Sequence, residues 1–258
     1  GDVYKRQIEV HAMSNQQSSP VSQYGHEKTA LAAALRLAER FGYSEGVCNH
    51  FSLQVDDETF LLSPHGIHWS LIRPNDILTI EDDAKSDQDT VAEITAFCIH
   101  GAIHRQHPNA RCVLHTHMPN TTALSCLSDP RLRYISQNSL RFFDDVSYDN
   151  DYNGLAEDME EGNRIAATLG DNRVLFMGNH GVIVTGPTVA DAFDRLYYLE
   201  RAAELQVLAM STGQTLAEVP GTIARKTRSE FDAGGAYADA HWDALLALLE
   251  HDTPGWCY

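Results

Sequence analysis

The sequence predicts a single α/β domain that also contains antiparallel strand pairs. Helical and strand-like patterns alternate along most of the 258 residues, and no linker rich in proline, glycine or serine divides the chain. Two strand-like runs at 51–55 and 59–62 are separated by acidic turn residues, which predicts a hairpin. A hydrophobic fraction of 43% and a charged fraction of 21% are ordinary for a globular protein with a sizeable core.

The elements follow from hydrophobic periodicity and from the residues that end each run. Gly42 and Gly170 stand where C-cap glycines are expected, and Pro108 ends the helix before it. Apolar residues at helical spacing predict helices over 27–41, 91–107, 121–127, 157–169, 189–210 and 236–249. Strand-like runs cover 51–55, 59–62, 77–80, 111–117, 174–177 and 182–184, and 142–153 is predicted as a strand that leads into a loop.

The two ends of the chain are predicted to be less ordered than its middle. Residues 1–23 are expected to form a disordered tail, because a polar, serine- and glutamine-rich stretch follows Met13. Met13 reads as the natural start, which would make residues 1–12 non-native. Residues 24–258 form the predicted domain, and its C-terminal part from about residue 213 is predicted to be loose because it is glycine-rich and charged.

Charge and hydropathy exclude several classes of partner. The formal net charge of −17 argues against nucleic acid and against an anionic membrane, since both need a basic face. No apolar run approaches the ~20 residues of a membrane-spanning helix. The five cysteines are odd in number and show no close pair, which favours reduced thiols and a cytoplasmic location over disulfides.

Two histidines in one strand-like run indicate a metal site. His115 and His117 are two residues apart, so on a strand their imidazoles point to the same face. His180, in the turn sequence GNHG, could supply a third nitrogen. Three nitrogen ligands with an open fourth position describe a catalytic site. Short motifs also occur by chance, and the alternative is one satisfied core histidine beside one surface histidine.

Several segments together resemble the class II aldolase and adducin head domain family, over about residues 27–210. The resemblance rests on LAAALRL (31–37), EGVCNHFS (45–52), SPHGIHW (63–69), IHGAIH (99–104), VLHTH (113–117), NHG (179–181) and YYLER (197–201). It implies a three-layer fold with a mixed, largely antiparallel central sheet flanked by helices on both faces. It also implies a homotetramer with active sites at subunit interfaces.

The resemblance further implies the chemistry. A divalent metal would be bound by His115, His117 and His180, zinc first, with manganese or iron(II) as alternatives. The metal would act as a Lewis acid on a carbonyl or enediolate oxygen while a carbon–carbon bond breaks. The sequence is closer to the adducin-like branch of the family than to its sugar-phosphate aldolases.

The chain departs from the sugar-phosphate aldolases at their base and phosphate positions. Ala96 replaces the glutamate that acts as general base there, and Ile94 and Thr95 replace two phosphate-binding serines. In the second phosphate loop, Val47 replaces a threonine and His50 replaces an asparagine. Because a phosphate dianion needs many directed donors, these losses predict a non-phosphorylated substrate.

Other residues become candidates for acid–base and substrate-binding roles. Glu93 lies one helical turn before Ala96 and is either the catalytic base or a solvated residue at the helix start. Tyr152, like Tyr148, lies where family enzymes take a tyrosine acid from a neighbouring subunit. The predicted catalytic residues are Glu93, His50 and Tyr152, and the predicted substrate contacts are Asn49, His50, Gly66, Thr95 and Arg141, with His68 a weaker candidate.

The predicted function is that of a metal-dependent lyase. It would cleave a carbon–carbon bond of a non-phosphorylated hydroxy-, keto- or aromatic acid, by retro-aldol reaction or decarboxylation, and the small-molecule substrate is expected to carry a carboxylate. Two alternatives stay open at this point: a non-catalytic adducin-like interaction module, and a three-histidine iron oxygenase.

Overall fold

Seven strands form one mixed sheet in the computed structural model, which describes residues 23–81, 92–234 and 236–258. The strands are β1 (His50–Gln54), β2 (Thr59–Leu62), β3 (Leu78–Glu81), β4 (Cys112–Thr116), β5 (Val146–Asp149), β6 (Val174–Met177) and β7 (Gly181–Gly186). Their order across the sheet is β3-β2-β1-β4-β7-β6-β5. Every neighbouring pair is antiparallel except β5–β6, so the predicted hairpins and the largely antiparallel character are confirmed.

Eight α-helices surround this sheet in the described part of the chain. They are α1 (Gly25–Arg40), α2 (Ile94–Gln106), α3 (Pro119–Ser125), α4 (Gln137–Leu140), α5 (Met159–Leu169), α6 (Val189–Ser211), α7 (Gly221–Ala233) and α8 (Tyr237–Asp252). Two short 3-10 helices, Trp69–Leu71 and Pro74–Asp76, connect β2 to β3. None of the described helices is both long and apolar enough to span a bilayer.

Alternation along the strands gives the sheet two buried faces. In β4, Cys112 and Leu114 pack into a core formed with α1, α6 and α8, whereas Val113 between them packs against α2 and α5. A buried leucine, isoleucine or phenylalanine contributes about 1.5–3 kcal/mol, so both faces are substantial cores. The predicted single α/β domain with helices on both faces of the sheet is therefore observed.

The segment after residue 213 carries α7, which the sequence analysis does not predict, and α8, which covers the helix predicted over 236–249. Leu245 and Leu249 of α8 are buried in the core beside α1 and α6. Helix α7 buries only Ala224 among its own residues and is held by polar contacts, such as the Arg228 Nη1 donation to the Phe143 carbonyl at 3.1 Å. The sequence analysis does not predict this helix, because most of its residues are polar. The predicted tail lies outside the described residues, except for Gln23.

Three neighbouring strands bring the histidine motifs to one end of the sheet. His50 begins β1 and is the register partner of His115 on β4. At the end of β4, Thr116 pairs with Val182 near the start of β7. The residue after β4 and the residue before β7, His117 and His180, therefore meet at the same place.

Candidate metal centre

His115, His117 and His180 form a cluster of three imidazoles. One ring nitrogen from each lies within 4.8 Å of those of the other two. The Nε2 atoms of His115 and His117 are 3.2 Å apart, and the ring centroids of the three side chains are separated by 4.8–5.0 Å. The spacing of His115 and His117 and the position of the GNHG turn thus place three potential ligands at one point.

The turn before β7 fixes His180 through close packing. The His180 N–H donates to the Met177 carbonyl at 3.1 Å, and Asn179 takes a positive φ of 57°, which asparagine tolerates better than most residues. A Cβ at Gly178 would lie 2.9 Å from the Asp149 carbonyl oxygen. The glycine is thus needed for close approach, whereas the left-handed residue of the turn is Asn179.

Hydrogen bonds at the Nδ1 atoms leave the Nε2 atoms of two rings free to act as ligands. His115 Nδ1 donates to the Val182 carbonyl at 3.0 Å, and His117 Nδ1 donates to Glu45 Oε2 at 2.5 Å. Such partners fix the tautomer and orientation of metal-binding histidines. Burial lowers the pKa of His115 well below its usual range and that of His180 to about 4, so both rings are in the neutral form that binds metal. The donor set therefore fits a divalent cation.

A cavity of about 290 Å³ opens onto the three histidines. Apolar groups, including Val47, Ile99 and Leu155, make up much of its wall, and no arginine or lysine of the described residues lines it. The wall is formed by Val47, Cys48, Asn49, His50, Ser63, Pro64, His65, Glu93, Thr95, Ala96, Ile99, His115, His117, Leu155, Ala156 and His180.

Comparison with known proteins identifies the family. The family model described as "Class II Aldolase and Adducin N-terminal domain" matches residues 29–207. The chain belongs to this family. A protein of Pseudomonas aeruginosa named "Putative aldolase class 2 protein" is 35% identical over 237 residues, which cover 88% of this chain and 90% of that protein.

The relatives of this chain include a bacterial protein of solved structure and adducins. The crystal structure of an aldolase II superfamily protein from Pseudomonas syringae superposes with a TM-score of 0.82 at 32% identity, covering 94% of this chain and 97% of that one. Mouse alpha-adducin is 31% identical over 241 residues, which are 86% of this chain but 32% of the adducin. The family as a whole therefore does not decide between enzyme and interaction module.

Four of the predicted site residues share the cavity with the histidines: Asn49, His50, Glu93 and Thr95. The backbone N–H of His117 donates to Asn49 Oδ1 at 3.5 Å. Because the Nδ2 end of the amide could not accept this hydrogen bond, the contact assigns the oxygen to that side. Asn49 is 4% exposed, and its Nδ2 has no hydrogen-bond partner among the described residues. Asn49 therefore carries a buried N–H donor without an acceptor at the cavity wall.

Glu93 lies on the cavity but also caps α2. Its carboxylate accepts hydrogen bonds from the Thr95 N–H, the Ala96 N–H and Thr95 Oγ1. Burial raises the pKa of Glu93, but these hydrogen bonds outweigh burial and the net pKa is lowered. A carboxylate held in this way is a weak proton acceptor, and Ala96, where the resemblance to the sugar-phosphate aldolases predicts their catalytic glutamate, is buried.

The two candidate tyrosines differ in position. Tyr152 is 54% exposed and its ring centroid lies 6.3 Å from that of His180, within the same chain. The Tyr148 hydroxyl instead accepts the Leu132 N–H at 3.0 Å, and its ring packs on Phe176. Tyr152 is thus the tyrosine of this segment that neighbours the candidate metal centre.

Three other candidates lie outside this cavity wall. Arg141 donates to Asp194 at 3.0 Å and its guanidinium lies between the rings of Tyr198 and Phe231, which hold it at α6 and α7. The loop after β2 contributes Ser63, Pro64 and His65 to the cavity, but neither Gly66 nor His68. His68 instead accepts the Ser70 N–H at the start of a 3-10 helix. Within one chain, Arg141 therefore does not reach the three histidines.

Several residues that contact the site were not singled out from sequence. Glu45 orients His117, and Ser52, His100 and His104 extend from His50 into the core. Residue spacing indicates part of this arrangement, since Ser52 shares a strand face with His50, and His100 and His104 share a helix face. The packing of β1 against α2, which brings the two sets together, could not be predicted from the sequence.

Proposed function

We propose that this chain is a divalent-metal-dependent carbon–carbon lyase acting on a non-phosphorylated acid by retro-aldol cleavage or decarboxylation. The observation that supports the proposal is the cluster of His115, His117 and His180 at the cavity, with ligand atoms within 4.8 Å of one another. Zinc is the first choice of cation, with manganese and iron(II) as alternatives. A cation held by three neutral imidazoles supplies a Lewis acid that stabilises negative charge on a substrate oxygen.

The character of the cavity supports a substrate without phosphate. Val47 and Ile94 stand at positions where the sugar-phosphate aldolases have hydroxyl donors, and the cavity wall of the described residues carries no arginine or lysine. The unpartnered Asn49 Nδ2 supplies one directed donor for a carboxylate or carbonyl oxygen. The proposed substrate is therefore a small hydroxy-, keto- or aromatic acid, whose carboxylate the cation and Asn49 would hold.

The groups available to handle protons are His50 and Tyr152, with Glu93 in a capping role. His50 lies on the cavity with one ring nitrogen bonded into the core, and the half-exposed Tyr152 has its ring centroid 6.3 Å from that of His180. We propose that His50 accepts a hydrogen bond from the substrate and that Tyr152 donates a proton to the carbanion formed when the bond breaks. The family resemblance suggests a homotetramer, which we also include in the proposal.

The main competing functions predict different metal behaviour. An adducin-like interaction module needs no cation, whereas this chain carries all three candidate ligands in one cluster. A three-histidine iron oxygenase would need iron and would consume oxygen.

Activity measurements on metal-loaded protein test the proposal. The protein is stripped with a chelator, loaded with zinc, manganese or iron(II), and incubated without oxygen with 4-hydroxy-2-keto acids and aromatic hydroxy acids, while aldehyde, keto acid and CO₂ release are measured. We expect turnover that disappears in His117→Ala and persists in His251→Ala, a change at an exposed histidine. Turnover that requires iron and oxygen would overturn the lyase proposal, as would protein that retains no metal.

A further inference from the structure

A continuous hydrogen-bond chain runs from the cavity into the protein core. His50 Nδ1 lies 2.6 Å from His100 Nε2, and His100 Nδ1 lies 2.5 Å from Ser52 Oγ. Ser52 Oγ lies 2.7 Å from His104 Nε2, and His104 Nδ1 lies 3.1 Å from the Ala110 carbonyl oxygen. All four side chains are buried, with exposures between 0% and 6%.

At the inner end of this hydrogen-bond chain, only one assignment of donor and acceptor is possible. The Ala110 carbonyl can accept but not donate, so His104 Nδ1 carries a proton. Burial lowers the pKa of His104 to about 4, which makes the ring neutral near pH 7. His104 Nε2 therefore has no proton and must accept the Ser52 hydroxyl proton.

This assignment then determines the donor and the acceptor in each hydrogen bond between Ser52 and His50. Because Ser52 donates to His104, its oxygen accepts from His100, and His100 Nδ1 carries the proton. Burial also lowers the pKa of His100 well below its usual range, so this ring is neutral and its Nε2 is an acceptor. His50 Nδ1 must therefore donate to His100.

We infer that this relay holds His50 as the Nδ1-protonated tautomer, so that its Nε2 lone pair is presented to the cavity as an acceptor for a hydroxyl group of the ligand. No hydrogen bond joins His50 Nε2 to any residue that the structure describes, and His50 forms part of the cavity wall. Ser52, His100 and His104 are positioning residues in this arrangement, because they act on the ligand only through His50.

Together with the neighbouring Asn49, His50 would offer a ligand both a hydrogen-bond donor and a hydrogen-bond acceptor. Its unpartnered Nδ2 is a donor, whereas His50 Nε2 is an acceptor. A ligand that matches both must carry a hydroxyl group and an acceptor oxygen, as a hydroxy acid does. The inference thus deepens the proposed function, on which it rests for the identity of the ligand, and selects hydroxy acids among the substrates proposed above.

Neutron diffraction tests the tautomer directly and needs neither metal nor activity. In a deuterium-exchanged crystal of the full chain, we expect deuterium on Nδ1 of His50, His100 and His104, and no deuterium on His50 Nε2. Deuterium on Nε2 of His50, with or without deuterium on its Nδ1, would overturn the inference.

Two changes at His104 test the relay through binding. In His104→Gln, the amide can donate to Ala110 and accept from Ser52, so the polarity is kept. In His104→Phe, Ser52 loses its acceptor and satisfies its proton by donating to His100, which reverses the chain and places a proton on His50 Nε2. Affinities of the zinc-loaded proteins for glycolate and methoxyacetate are measured by calorimetry, since only glycolate has a hydroxyl to donate.

We expect the ratio of glycolate to methoxyacetate affinity to fall by about tenfold in His104→Phe and to be retained in His104→Gln. Ser52→Ala, which interrupts the chain without filling the space of His104, should lower the ratio in the same direction if His104→Phe does not fold. Equal ratios in wild type, His104→Phe and Ser52→Ala would contradict the relay.

The two proposals fail in distinguishable ways. If the protein binds no metal and cleaves no acid, but neutron diffraction shows deuterium on His50 Nδ1, the proposed function is wrong and the tautomer assignment stands. If zinc-loaded protein is an active lyase, but His50 carries deuterium on Nε2, the lyase proposal stands and the relay is wrong.

Discussion

Gly181 lies directly against the ring of His117. A Cβ on Gly181 would stand 2.7 Å from His117 Cδ2 and 2.5 Å from the Thr116 carbonyl oxygen. This contact joins the residue that opens β7 to the histidine that follows β4. The position of one candidate ligand therefore depends on a neighbouring strand having no side chain there.

We predict that Gly181→Ala weakens metal binding without abolishing the fold. The added methyl group must displace either the His117 ring or the β4 backbone, so we expect metal affinity to fall about 10- to 100-fold and the free energy of unfolding to fall by about 1–3 kcal/mol. Calorimetric zinc titration and urea unfolding measure the two effects. Gly221→Ala is the matched control, because a Cβ there meets Phe143 only at ordinary contact distances of 3.7–4.0 Å. Unchanged zinc affinity in Gly181→Ala would contradict the close packing.

Glu45 orients His117 and should tune its affinity for the cation. Replacing the carboxylate by an amide in Glu45→Gln removes the negative charge that accepts the His117 Nδ1 proton at 2.5 Å. We expect about a 10- to 100-fold loss of zinc affinity with little change in stability, since Glu45 is exposed. Glu58→Gln, at an exposed glutamate remote from the cavity wall, should bind zinc as wild type does. If both variants matched wild type, Glu45 would have no role in the site.

His104 should make stability depend on pH. Burial lowers its pKa to about 4 in the folded chain, against about 6.5 in the unfolded one. As pH falls from 6.5 towards 4, the unfolded chain takes up a proton that the folded chain does not, and the free energy of unfolding falls by up to about 3 kcal/mol. That contribution is fully present above pH 6.5.

Urea unfolding of the metal-free protein at several pH values measures this dependence. His104→Gln removes the titrating ring but keeps both hydrogen bonds, so its free energy of unfolding should fall less steeply between pH 6.5 and 4. His251→Gln, at an exposed histidine, should follow the wild-type curve. A wild-type slope in His104→Gln would mean that His104 is not held neutral by the fold.

Tyr152 and Tyr148 provide a matched pair for the proposed proton donor. Tyr152→Phe removes the proposed proton donor from a ring whose centroid lies 6.3 Å from that of His180, so we expect turnover of the zinc-loaded enzyme to fall about 100-fold with zinc content unchanged. Tyr148→Phe removes the acceptor of the Leu132 N–H and should cost about 1 kcal/mol of stability, with turnover retained. Steady-state kinetics and elemental analysis separate the two. Equal turnover in both variants would remove Tyr152 from the mechanism.

The sheet and the histidine cluster were accessible from sequence because both rest on short-range rules. His115 and His117 are separated by one residue, and strand geometry alone places them on one side of the chain. The alternation along β4 also reports its two buried faces, since Cys112 and Leu114 face one core and Val113 the other. Asn49, His50, Glu93 and Thr95, which the sequence analysis selects, lie on the cavity wall, and their roles stay predictions.

Most of the remaining features depend on contacts between distant segments, which periodicity does not encode. The capping of α2 by Glu93 is local, since its three hydrogen bonds join it to Thr95 and Ala96, and the sequence leaves this role open beside that of a base. Arg141 could not be assigned until Asp194 and two aromatic rings were found around it. Helix α7 was missed because most of its residues are polar and only Ala224 among them is buried.

An anomalous difference map from a zinc-soaked crystal tests the central claim most directly. The account predicts one strong peak at the zinc absorption edge, about 2.0–2.1 Å from Nε2 of His115, from Nε2 of His117 and from a ring nitrogen of His180. A crystal of His117→Ala grown and soaked in the same way should lack that peak. Wild-type crystals with no peak among these three rings, or a variant that keeps it, would contradict the assignment.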